Sequence, residues 1–184
     1  NPMKVLIAED DIIRRRMLEA TLKRWGYEVV AVSGGGEAWR LLQEEGGPNL
    51  AILDWQMPDM TGPEVCRQVR ARTDAPYVFI VLLTSRDRKE DLIEGMDAGA
   101  DDYLTKPFDP QELQVRLRAG RRILELETAL RRSVIDLKQA QSGLVQAEKM
   151  AGLGQMPGHR ETHHAQTEKC HLGHRPLPRN FDAG

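Results

Sequence analysis

Glu9, Asp10, Asp54 and Lys106 are the residues of this chain best suited to do chemistry. Glu9 and Asp10 follow the apolar run Lys4-Val5-Leu6-Ile7-Ala8, Asp54 follows Leu50-Ala51-Ile52-Leu53, and Lys106 closes a later run and precedes Pro107. A carboxylate can attack a phosphoryl group to give a mixed anhydride, provided charge on both the nucleophile and the phosphoryl oxygens is neutralised. Mg²⁺ does this with oxygen ligands in an octahedral shell. Glu9, Asp10 and Asp54 are suited to hold such an ion, with a main-chain carbonyl near Gln56 and waters completing the shell. Carboxylates about 4 Å apart repel by about 4 kcal/mol per pair at an effective dielectric of about 20, so the set is strained without a cation. Lys106 is expected to pair with Asp54 at rest and with a phosphoryl oxygen afterwards. Thr84 offers a hydroxyl to another phosphoryl oxygen.

These groups converge only if the runs before them are parallel strands of one sheet. Residues 3 to about 118 alternate short apolar runs with amphipathic stretches, the pattern of repeated strand–helix units. Strands are expected at 4–8, 28–32, 50–53, 78–83 and 101–104, and helices near 11–24, 36–45, 63–72 and 88–97, with a fifth starting near Pro110. Val78 to Leu83 has no polar member, which suits a central strand covered on both faces. Right-handed crossovers would bring the strand ends to one edge, where open α/β sheets bind ligands. Gly34-Gly35-Gly36 lacks the lysine and hydroxyl of a phosphate-binding loop and is expected to be a plain turn. Cys66 is expected to be packed and inert.

From about 119 to 155 the period changes. Ile123, Leu130, Leu137, Leu144 and Ala151 recur every seven residues, with Leu126, Ser133, Ala140 and Ala147 three residues after the first four. The strict repeat predicts a left-handed, parallel coiled coil, continuous with the helix from Pro110 and making a homodimer; small residues in the seam would make it weak. After Met156 all five histidines and three of the ten prolines appear without period, and 156–184 is expected to be disordered. His163, His164, Cys170, His171 and His174 match no zinc-finger spacing.

The chain resembles the receiver domain of two-component response regulators. The matching stretches are Val5 to Asp11, Leu53 to Gly62, Leu83-Thr84-Ser85, and Gly99 to Phe108, in the family's order across residues 3–118. The resemblance implies a doubly wound, flavodoxin-like five-stranded domain that takes a phosphoryl group from the phosphohistidine of a sensor histidine kinase onto Asp54, with Mg²⁺. It also implies a switch through Thr84 and Tyr103, and a cis Lys106–Pro107 peptide. Gln146 to Met156 resembles the lead-in to a histidine kinase's dimerisation helix, but the phosphoacceptor box does not follow. The chain is therefore expected to be no kinase; one account is a receiver–kinase fusion whose reading frame diverges after Met156.

The bulk numbers fit this reading. A 184-residue chain, 40% hydrophobic and 29% charged with net charge −2, has room for one domain and an appendage, and has no global pull toward nucleic acid or lipid. Neither a signal peptide nor a membrane span is apparent, and two distant cysteines predict no disulfide framework. The expected setting is the cytoplasm, with no DNA-binding domain. Two rival functions stand beside the receiver reading. Phosphohydrolases of the haloacid dehalogenase type also use a strand-end aspartate, but need a second aspartate where Gln56 stands, so turnover is not expected. The other rival is a coiled-coil scaffold indifferent to phosphorylation.

Overall fold

Each apolar run expected to be a strand is one in the computed structural model, which describes residues 2–73, 75–85 and 89–153, without the side chains of 89–92, 152 and 153. The order is β1 (Lys4–Ala8), α1 (Ile12–Arg24), β2 (Glu28–Val32), α2 (Gly35–Leu42), β3 (Leu50–Asp54), α3 (Gly62–Arg70), β4 (Phe79–Thr84), α4 (Lys89–Asp97), β5 (Asp102–Thr105) and α5 (Pro110–Leu153). The five strands form one parallel sheet in the order β2-β1-β3-β4-β5, the doubly wound arrangement expected. The tail 156–184, with its histidines and Cys170, lies outside the described residues.

Side chains alternate across a strand, and here both sides are apolar. Val5, Ile7, Leu50, Ile52, Phe79, Val81, Leu83 and Leu104 enter a core with Leu18 and Leu22 of α1 and Leu113, Leu117 and Leu124 of α5. Leu6, Ala8, Ala51, Leu53, Ile80 and Leu82 enter a second core with Ala38 and Leu42 of α2 and Val65, Cys66 and Val69 of α3. Cys66 is fully buried there, and burial pushes its thiol up to about 12, so it stays a packed thiol.

The helix ends have local causes. Asp11 caps α1 by accepting from the Arg14 amide at 2.8 Å. Thr61 and Glu64 form a capping box at α3, beside Pro63 in its first turn. The α2 helix stops at Leu42, short of the expected 45, because the chain turns into Gly46, whose φ of 70° favours glycine. The last strand starts at Asp102, one residue later than expected; Asp101 just before it is held to β4, its amide donating to the Ile80 carbonyl at 2.9 Å and its carboxylate accepting from the Ile80 amide and Arg70 at 2.7 Å each, and from the Tyr77 hydroxyl.

The fifth helix has two faces. Leu113, Leu117 and Leu124 are buried against the sheet, and Gly120 lies so close to the Phe79 ring that a Cβ would collide with it. Beyond Leu124 every side chain through Ala140 is exposed. Leu126 stands about 200° round the helix from Leu124, so the seven-residue stripe Ile123, Leu126, Leu130, Leu137 turns away from the sheet. The chain divides into two units, Asn1–Ala140 and Gln141–Gly184; the described part of the second is helical and exposed.

The three-glycine turn holds an anion of the protein's own. The amides of Gly35 and Gly36 donate to the two oxygens of Asp59 at 2.9 and 2.8 Å, which caps α2 from the loop after β3. These bonds, Gly36 first, hold the Asp59 carboxyl below the ordinary carboxylate range. A lowered carboxyl contributes stability above its unfolded value and loses it as pH falls through the lowered one. Asp59→Ala is expected to cost about 1 kcal/mol in urea unfolding at neutral pH. The difference from the parent protein should vanish in acid below the ordinary carboxylate range; a pH-independent difference would contradict the assignment.

Candidate functional site

Strand parity and register bring the reactive groups together. Glu9 is two residues beyond Ile7, Asp54 two beyond Ile52, and Lys106 two beyond Leu104, so all three continue the same alternation at the carboxyl edge. The ladder extends past each strand to fix them: the Glu9 amide donates to the Val32 carbonyl at 3.2 Å, Trp55 to Leu83 at 2.7 Å, and Lys106 to Thr84 at 2.7 Å. Asp54 itself pairs in register with Leu83. The close approach of Gly62 lets the next loop fold back over this edge, since a Cβ there would lie 2.5 Å from the Asp54 carbonyl.

Lys106 Nζ lies 2.8 Å from Glu9 Oε2 and 3.0 Å from Asp54 Oδ1. The expected pairing with Asp54 is present, and a second, shorter one to Glu9 accompanies it. Both carboxylates are buried, Glu9 completely. Burial pushes the Glu9 carboxyl up, the hydrogen bond from Lys106 opposes this, and the charge of Asp54 adds to the rise. Asp10 is exposed, and Glu9, Asp10 and Asp54 each place an oxygen within 4.8 Å of the others. This set of hard oxygen donors can hold a metal ion. Gln56 lines a cavity of about 130 Å³ with Asp10, Asp54, Trp55 and Lys106.

Thr84 and Tyr103 fall on the opposite parity. Thr84 is fully buried at the end of β4, two residues beyond Leu82, and Tyr103 is half-buried against the core that contains Leu82. Ser85, the next residue, lines the acidic cavity.

Sequence reasoning overlooked two arginines one turn into α1. Arg14 Nε lies 3.2 Å from Glu9 Oε1, and Arg14 lines the acidic cavity. Arg15 donates to the carbonyls of Glu9 at 2.6 Å and Asp10 at 3.2 Å, holding the loop that presents both carboxylates. The run Arg14-Arg15-Arg16, one helical turn past the acidic pair, was the available signal. Trp55 is buried and lines the cavity, in keeping with a shielding role.

Known proteins are similar to this chain in sequence and in fold. The sequence profile of the response regulator receiver domain matches residues 5–118. Probable transcriptional regulators named ycf27 are similar: that of Cyanophora paradoxa is 44% identical over 119 residues, which cover 65% of this chain and 48% of the relative. That of Guillardia theta is 44% identical over 116 residues, 63% of this chain and 44% of the relative. The chain thus spans about half the length of these curated relatives. Among solved structures, the receiver domain of a Pseudomonas aeruginosa sensor histidine kinase, crystallised with magnesium in its active-site cleft, superposes with a TM-score of 0.60 at 30% identity, covering 65% of this chain and 98% of that one. A Francisella response regulator's receiver domain gives 0.60 at 31% identity over 70% of this chain and 99% of that one. With its profile match spanning most of the chain and its acidic edge assembled as described, the chain belongs to the response regulator receiver domain family.

Proposed function

We propose that this chain is a phosphorelay response regulator in which Asp54 accepts a phosphoryl group from the phosphohistidine of a sensor histidine kinase. The observation that carries this reading is the Lys106 ammonium held between Glu9 and Asp54, at 2.8 and 3.0 Å, beside three mutually adjacent carboxylates. In the transfer, an Asp54 oxygen bonds to phosphorus as the nitrogen–phosphorus bond breaks, and the electron pair returns to the imidazole. Glu9, Asp10, Asp54 and the Gln56 carbonyl would hold a magnesium ion, which would supply charge neutralisation at the phosphoryl oxygens. Lys106 then exchanges part of its carboxylate contact for a phosphoryl oxygen. Thr84 supplies a hydroxyl to another, and the inward state of Tyr103 accompanies its movement.

The donor must reach Asp54 from the open side of the cavity. Ile12, Ile13 and Met17 are exposed on α1, and Met17 lines a groove of about 490 Å³ with Glu9, Leu18, Lys106, Pro107 and Phe108. An apolar surface next to the nucleophile suits a docked kinase helix. Gln56 stands where a hydrolase of the dehalogenase type needs its acid, so Asp54 is a phosphoacceptor with slow loss of phosphate, not a turnover catalyst.

The output is a helical dimer through α5. Leu126, Leu130 and Leu137 are 62%, 60% and 69% exposed, although the stripe they form repeats every seven residues as a coiled-coil seam requires. A second copy of this chain is the partner that the repeat specifies, since an identical helix in register meets each a and d residue with its own kind.

Asp54→Asn is expected to abolish labelling by acetyl phosphate with magnesium, and chelation should do the same to the parent protein. Labelling that persists in the variant would remove Asp54 as nucleophile. Leu130→Glu with Leu137→Glu should shift sedimentation toward monomer while leaving labelling intact. An unchanged mass would remove the stripe as a dimer seam.

A further inference from the structure

The acidic cavity contains a cation that the nucleophile and the metal ligands do not explain. Arg14 Nε lies 3.2 Å from Glu9 Oε1 while Lys106 Nζ takes Oε2 at 2.8 Å, so both oxygens of the buried Glu9 carboxylate are engaged by the chain's own charges. The two cations differ in freedom. The Lys106 side chain is 13% exposed and is held a second time by Asp54 at 3.0 Å. The Arg14 side chain is 51% exposed, and its terminal nitrogen lies 3.9 Å from Asp11 Oδ2, a half-exposed carboxylate on the same turn. Arg14 therefore has an alternative partner outside the cavity, and Lys106 is pinned inside it.

A divalent ion held by Glu9, Asp10 and Asp54 needs oxygen lone pairs that Arg14 occupies in part, and its double charge repels a guanidinium nearby. We propose that Arg14 is a tethered competitor of the metal: it neutralises Glu9 in the ion-free protein and swings toward Asp11 when a divalent cation binds. It is a positioning residue that sets cation affinity, and the inference rests on the acidic cavity being the magnesium site proposed above. Because the Arg14–Glu9 pair is half-exposed, the competition is modest in size.

Magnesium chloride titrations of the unphosphorylated protein, by calorimetry and by Trp55 fluorescence, test this without reference to phosphoryl transfer. Arg14→Gln, which keeps the side-chain stem, and Arg14→Ala are each expected to lower the magnesium Kd about threefold. Arg14→Lys should return it toward the parent value. An unchanged or weaker affinity in Arg14→Gln and Arg14→Ala, with the parent protein binding magnesium, would overturn the competitor role alone. Failure of the parent protein and all variants to bind magnesium would overturn both this role and the proposed metal site.

Discussion

One ammonium holds two buried carboxylates at the ends of neighbouring strands, Glu9 just past β1 and Asp54 closing β3, and the rest of the site is arranged around that contact. Glu9 and Asp54 would repel across the sheet edge if Lys106 were withdrawn, and breaking a buried charge group by removing one member costs several kcal/mol. On the proposed reading, phosphoryl transfer to Asp54 would call for that same withdrawal, because the ammonium would have to serve a new anion. The domain therefore stores a cluster of charge whose balance depends on what enters the cavity. The apolar packing on both faces of β3 and β4 keeps the edge in place while that balance changes.

The convergence of Glu9, Asp54 and Lys106 was legible in the sequence because it follows from two simple rules. Short apolar runs become parallel strands, and residues two positions apart share a face. The same parity rule, followed further, puts Tyr103 with Leu82 on the other layer and leaves Thr84 buried at the end of β4. What the sequence hid were partnerships between distant loops. Asp59 caps α2 across 24 residues, and Asp101 gathers Tyr77, Arg70 and the Ile80 amide. Neither has a local signature, since an aspartate in a loop looks the same whether it is solvated or capping. Arg14 was hidden differently: a basic residue on the first turn of α1 reads as an exposed helix charge until the carboxylate beside it is seen.

The fifth helix shows how one pattern can serve two surfaces. Leu113, Leu117 and Leu124 follow the helical period closely enough to dock on the sheet, and Gly120 allows the close approach to Phe79. The seven-residue stripe overlaps this docked segment at Ile123 and then continues on the other side of the helix. A heptad alone does not reveal where docking ends and exposure begins; the burial of Leu124 and the exposure of everything from Glu125 to Ala140 fix that point.

Position in the fold also supplies a physical link between the cavity and that stripe. Arg116 of α5 donates from Nε to the Tyr103 carbonyl at 3.0 Å and pairs with Asp102 at 3.2 Å, which ties the helix to the backbone of β5. Lys106 lies three residues along the same chain from Tyr103, and its amide is anchored to the Thr84 carbonyl. On the proposed reading, a phosphoryl group on Asp54 draws Lys106 and Thr84 toward it from adjacent, hydrogen-bonded strands. A shift of β5 would then bear on α5 both through Arg116 and through the buried Leu104, which shares a core with Leu113 and Leu117. The rigid packing of Leu113 and Leu117 resists a sliding of the helix along the sheet. On that reading, a change passed to α5 would act on a proposed seam that is thin, with Ser133 and Ala140 at its d positions.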